Sequence, residues 1–193
     1  MMKKSVKSAC VLVLAILSFA GAKAQRLEYG VKAGYNLASM SGDVGNKPRS
    51  GFHVGGSLGG ILTRYITVEA ELLYSVEGTS SLSPENDEPL KLMYLNMPMA
   101  VKYYPIEWLS LRFGPQVGVL LGARMDGKSV TNEYFPVNVG LNVGVGYETA
   151  WGIGCSIRYN HSLVNALRNR HDTQNKEYAG YPRSLQLSVE IRF

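Results

Sequence analysis

An all-β, eight-stranded antiparallel barrel that crosses a membrane is the fold the sequence predicts, and three observations carry it. Eight segments alternate apolar and polar residues with period two, the side-chain period of a β-strand. The connections between them are long and short by turns. The chain also opens on the pattern of an export signal and closes on an alternating strand that ends at Phe193.

Residues 1–24 read as a cleaved signal peptide, because Lys3, Lys4 and Lys7 precede an apolar run over residues 11–20 and Ala22-Lys23-Ala24 places small residues at the cleavage site. That run is about half of the ~20 residues a spanning helix needs, so export is expected rather than anchoring. Cys10 lies before the apolar core instead of at the cleavage site, which argues against a lipoprotein. Residues 25–193 then form the mature barrel domain.

Cleavage changes the chemistry of the chain. Removing Lys3, Lys4, Lys7 and Lys23 from the 20 Lys and Arg residues leaves 16 bases against 15 acids, a net of +1 in place of +5. A nucleic-acid binder is not expected from that balance. Of the two cysteines only Cys155 remains, so neither an internal disulfide nor a cysteine-built metal site can form.

The first strand is expected over residues 28–37, with Tyr29, Val31, Ala33, Tyr35 and Leu37 toward lipid and Glu28, Gly30, Lys32, Gly34 and Asn36 toward the lumen. The second (51–59) sets Phe52, Val54 and Leu58 against His53, Gly55, Ser57 and Gly59. In the third (66–76), Ile66, Val68, Ala70, Leu72, Tyr74 and Val76 alternate with Thr67, Glu69, Glu71, Leu73 and Ser75. The fourth (95–103) turns Met97, Met99 and Val101 out and Asn96, Ala100 and Lys102 in. The fifth (109–122) and sixth (137–148) repeat the pattern, with Arg112, Gln116, Asn138, Asn142 and Glu148 among their inward residues. The seventh (151–159) puts Trp151, Ile153, Cys155, Ile157 and Tyr159 out and Ser156 and Arg158 in. The last (185–193) alternates Leu185, Leu187, Val189, Ile191 and Phe193 with Gln186, Ser188, Glu190 and Arg192.

A soluble sandwich would alternate as well, so the connections decide. Residues 39–50, 77–91, 124–134 and 161–183 make long polar connections, whereas 60–65, 104–108 and 148–150 make short ones. Long extracellular loops alternating with short periplasmic turns are the habit of outer-membrane barrels. Tyr65, Tyr103, Tyr104, Trp108, Tyr147, Trp151 and Phe193 gather at the short-turn end, where an interfacial aromatic girdle is expected. Pro98 and Pro115 fall inside strands and lack a ladder N–H, so local bulges are expected at both.

The inward set holds five acids (Glu28, Glu69, Glu71, Glu148, Glu190) and five bases (Lys32, Lys102, Arg112, Arg158, Arg192). Eight strands enclose a lumen that side chains can fill, so cross-paired charges are expected rather than a channel.

The chain resembles the PorT-like small outer-membrane β-barrels of Bacteroidetes. The resemblance rests on Tyr29-Gly30-Val31-Lys32-Ala33-Gly34-Tyr35-Asn36-Leu37, Val68-Glu69-Ala70-Glu71-Leu72-Leu73-Tyr74-Ser75, Tyr94-Leu95-Asn96-Met97-Pro98 and Arg158-Tyr159-Asn160. It implies the fold and the outer membrane, and one branch of that family is similar to components of a secretion and gliding system. It supplies no catalytic residues.

Three functions follow for comparison. The leading one is a non-enzymatic integral barrel, monomeric in outer-membrane lipid, whose extracellular loops meet an envelope partner. Its longest loop carries Arg168, Arg170, His171, Asp172, Lys176 and Glu177. A second is an accessory subunit of an export or adhesion assembly. The third is a lipid hydrolase using His161 and Ser162, but neighbours on one strand project to opposite faces and could not cooperate as base and nucleophile. His53 and His171 are too scattered to suggest a metal site. No catalytic, cofactor or metal residue is therefore assigned.

Overall fold

The computed structural model describes residues 26–42, 47–81, 90–125, 128–131, 135–165 and 180–193. The expected signal peptide, and the Arg168, Arg170, His171, Asp172, Lys176 and Glu177 of the fourth loop, lie outside those residues. The strands are β1 (Arg26–Gly42), β2 (Lys47–Thr63), β3 (Ile66–Ser81), β4 (Leu90–Ile106), β5 (Leu109–Met125), β6 (Lys128–Ser129), β7 (Val137–Glu148), β8 (Ile153–Ser162) and β9 (Gly180–Arg192). The two-residue β6 pairs only with the end of β5, and the other eight form an antiparallel meander.

Closure comes from the chain ends. β9 pairs with β1 from Gly30↔Arg192 to Gly42↔Gly180, and β4 pairs with β5, so no long strand is left with an open edge in the membrane. In hydrocarbon every unpaired N–H or C=O costs several kcal/mol, which makes a closed barrel the stable way for these strands to span. The Phe193 N–H donates to the Tyr29 carbonyl at 2.8 Å, and the two rings stack at 5.8 Å where the seam ends.

Period two holds along the wall. Leu187, Val189, Tyr35, Phe52, Val143 and Phe113 are exposed on the outside, whereas Lys32, Arg112, Arg158 and Gln186 are about 1% exposed within. Charged side chains are thus buried and apolar ones exposed, the inverse of a soluble protein and the signature of a wall facing lipid.

Four expectations need correction. The strands run farther than the polar composition suggested: β1, β2, β4 and β5 have 17 residues each, where about 9–11 suffice to cross a bilayer. Their outer ends continue the ladder in water, where hydrogen bonding no longer needs an apolar face, so alternation is a poor guide to where they stop. The turn after β7 runs through Gly152 instead of ending at Ala150, with Gly152 at φ +82°. Only glycine takes that conformation without strain, and it brings the Gly152 carbonyl to the Arg192 N–H at 2.8 Å.

Pro98 and Pro115 produce no bulge. The β3–β4 ladder pauses between Ala70↔Met99 and Leu73↔Asn96, and the β4–β5 ladder between Pro98↔Gln116 and Val101↔Phe113, with the same register on both sides of each gap. A missing donor costs a rung without forcing an extra residue into the strand. Register shifts occur elsewhere, between Met93 and Tyr94 and between Tyr103 and Ile106. Finally, Tyr104 leaves the girdle and turns inward, its hydroxyl donating to Glu148 Oε2 at 2.8 Å. Tyr65, Tyr103, Trp108, Tyr147, Trp151 and Phe193 do face outward, with Tyr29 beside them.

Deleting residues 185–193 should abolish the folded barrel, since it removes the partner of β1 within the membrane. Unboiled gel electrophoresis of outer-membrane extracts checks this. A compact, heat-modifiable band from the truncated chain would mean that closure does not depend on β9.

Candidate functional site

The lumen is where sequence alternation concentrates every charged residue that the membrane excludes, and it is built in layers. At the periplasmic end lies an open vestibule of about 760 Å³ between the short turns, reaching inward to Glu28, Tyr104, Glu148 and Arg192. Above it the ten inward charges meet as expected. Arg112 is the hub: its Nη2 lies 2.7 Å from Glu148 Oε1 and 3.3 Å from Glu190 Oε2, and its Nη1 lies 3.4 Å from Glu69 Oε1. Lys32 Nζ stands 2.5 Å from Glu71 and 3.3 Å from Glu190. Lys102 holds Glu69 directly and reaches Glu148 at 3.4 Å.

Arg158 grips both oxygens of Glu71, one of them at 2.9 Å. Arg192 links Glu148 at 2.7 Å to Glu28 at 3.5 Å and closes the network toward the vestibule. Nearly every acid here touches at least two cations, so removing one base leaves charge uncompensated in a dry interior. The two-pronged Arg158–Glu71 contact also has the planar geometry that favours arginine over lysine.

A neutral belt follows. The Asn36 amide donates to Ser75 Oγ at 2.8 Å, so its Oδ1 is free to accept from His53 Nδ1 at 2.6 Å. That fixes the proton on Nδ1 and leaves Nε2 to accept from the Ser188 hydroxyl at 2.8 Å. His53 fits because position 34 is glycine. A Cβ there would sit 2.6 Å from the His53 ring and 1.9 Å from the Leu187 carbonyl oxygen. Farther out the lumen turns apolar, where Met40, Leu90, Leu92, Tyr94, Leu120 and Ala123 pack together.

His161 and Ser162 are held apart. The His161 ring lies parallel to Tyr159 on the outer face at 6.4 Å, while the Ser162 hydroxyl points inward to Asn138 and the Val164 carbonyl. Both residues are inside β8, opposite Leu141 and Gly140. Among the described residues, no group of three or more His, Cys, Asp or Glu is placed to hold a metal ion. Cys155 is a free thiol on the outer face.

Sequence reasoning missed Glu77, assigning it to a loop. It lies within β3, 7% exposed, and continues the inward parity of Glu69, Glu71 and Ser75. Extending the alternation by one more residue pair would have found it. The apolar outer cluster was missed for a related reason: its members come from three strands, β1, β4 and β5, and no single segment shows them together.

A closed eight-stranded wall with an apolar exterior, an aromatic rim and a charge-filled interior defines an outer-membrane β-barrel protein. A family model described as outer membrane protein beta-barrel domain matches residues 19–168, and the chain belongs to that family. Among solved structures it is similar to Neisserial surface protein A, at 14% identity and TM-score 0.61, covering 86% of this chain and 97% of that one. It is also similar to Ail, the attachment invasion locus protein of Yersinia pestis, solved with the heparin analogue sucrose octasulfate. There the identity is 14% and the TM-score 0.56, over 88% of this chain and all of that one. At such identity the likeness is one of fold. No curated protein matches the chain.

Arg112→Met should cost about 3–5 kcal/mol, because it removes the hub beside Glu69, Glu148 and Glu190 and leaves the buried network one negative charge in excess. Arg64→Met should change stability by less than about 1 kcal/mol, since the Arg64–Glu107 pair is 75% and 92% exposed. Urea unfolding midpoints in micelles distinguish the two, and equal midpoints would contradict the buried network.

Proposed function

We propose that the protein is a non-catalytic barrel of the outer membrane whose extracellular rim, not its lumen, meets its partners. The observation that carries this is the filled lumen. From the vestibule inward, Arg112, Lys102, Lys32 and Arg158 bridge to acids on strands across the lumen, leaving among the described residues no wide aqueous path through the network. The chain would reach the membrane by export, with residues 1–24 removed.

The rim offers what the lumen lacks. β1 to β5 extend beyond the length needed to span, and they carry the loops outward on a hydrogen-bonded base. Surface loops on a rigid scaffold are the usual place for recognition. Ail's complex with a heparin analogue supports the idea that a barrel of this fold can bind a ligand. In this chain the longest loop sets Arg168, Arg170 and Lys176 against Asp172 and Glu177, a mixed charge that suits an envelope protein better than a sulfated polysaccharide. The PorT-like motifs make a subunit of an export or gliding assembly the finer form of the same reading.

Two measurements test it. Purified protein in planar bilayers should show no large, steady single-channel current. Mass spectrometry of lipid A and phospholipids should show the same acyl composition in cells with the wild type and with the His161→Ala, Ser162→Ala double variant. A steady conductance would refute the plugged lumen. Deacylation that vanishes in the double variant would overturn the non-catalytic assignment.

A further inference from the structure

One buried carboxylate of the lumen lies outside the central charge network. Five acids and five bases share the central network, and Glu77 stands outside it, forming no ion pair with any described residue. Its Oε1 accepts from the Ser75 hydroxyl at 2.8 Å and from the Asn96 amide at 2.9 Å. Its Oε2 has no partner among the described residues.

The carboxylate borders a cavity of about 10 Å³, room for one water-sized species, at the outer end of the lumen. Two amides face the same space. Asn160, 6% exposed, gives its Nδ2 to Ser184 at 3.2 Å, and its Oδ1 is buried without a partner. Gln116, 8% exposed, makes no side-chain hydrogen bond to a described residue. Asn138 Oδ1 is already occupied by the Ser162 hydroxyl.

We propose that this cavity binds one monovalent metal cation, with Glu77 as the charged ligand and the Asn160 and Gln116 amide oxygens completing a hard, all-oxygen site. A carboxylate withdrawn from water is neutralised by a proton or by a cation, and the two buried amide oxygens beside Glu77 favour the cation, because they can ligate a metal ion. Oxygen donors of this kind take alkali and alkaline-earth ions rather than softer metals. Charge chooses between those two groups. Among the described residues Glu77 is the one acid on the cavity wall, and the one arginine there, Arg183, is turned to Ser39 at 2.9 Å, so a sodium or potassium ion is matched and a divalent ion is left half-compensated.

The cavity lies on the outer side of the charge network, beside the start of β7 at Val137 and the end of β8 at Ser162. Once bound, the ion ties β3 to β5 and β8 across the lumen. This goes beyond the proposed partner-binding role and does not depend on it.

The test is unfolding of the purified full barrel in detergent at constant ionic strength, with NaCl or KCl replacing N-methyl-D-glucamine chloride. In the wild type the melting temperature should rise by about 3 °C or more and then saturate, as expected for a ligand that binds only the folded state. Glu77→Gln, the isostere of a protonated glutamate, should lose the response. Gln116→Met keeps the carboxylate and should shift saturation to higher ion concentration, which preserves the test if the first variant does not fold.

Identical melting in both alkali salts and N-methyl-D-glucamine would mean that the cavity holds water only or that Glu77 carries a proton, and either overturns the proposal. So would a full ion response in Glu77→Gln. A response to CaCl2 alone would overturn the assignment of a monovalent ion.

Discussion

In the bilayer core no water is present to satisfy a backbone N–H or C=O, and that requirement governs this structure from the wall inward. Eight strands meet it by closing on themselves, with the β1–β9 seam joining the first strand to the last. Closure at eight strands sets the diameter, and the diameter sets what the lumen must be: space that side chains fill, with no bulk water inside. The residues pointing there have to neutralise and hydrogen-bond one another. The network around Arg112 is a consequence of closing the barrel.

The layering of the lumen follows from the same constraint. Charges gather in the middle and toward the periplasmic vestibule, where Glu28 and Arg192 are partly open to solvent. A dry interior makes each matched pair strong and each unmatched group costly, so a network in which one acid serves several bases holds β1, β3, β4, β5, β7, β8 and β9 together at once. Toward the outside, neutral hydrogen bonds through His53 and Asn36 give way to packed apolar side chains. The wall no longer borders lipid there, and ordinary hydrophobic burial stabilises the extended outer strands.

Such an interior leaves little chemistry available. A hydrolase of this geometry needs its nucleophile and base on one side of the wall, and His161 and Ser162 lie on opposite sides. The proposed partner surface is accordingly the rim, at the outer ends of strands of up to 17 residues. The family to which the chain belongs defines the fold and the membrane.

Much of this was legible in the sequence, because a strand's two-residue period is a local property and lipid on one side makes it visible residue by residue. The eight strands, the seam through the C-terminal strand, the lumen membership of all ten charges and the opposed faces of His161 and Ser162 could be read that way. The strand ends could not, since beyond the membrane the ladder continues without an apolar face to mark it, and so Glu77 was read as loop. Pairing partners were also out of reach. That Arg112 rather than Lys32 touches Glu148, or that Glu77 meets Asn160 and Gln116 over one small cavity, depends on the stagger between strands far apart in the chain. Face is a property of one strand and is written in its own residues, whereas partnership across a lumen is decided only when the barrel closes and fixes which rungs lie at the same height.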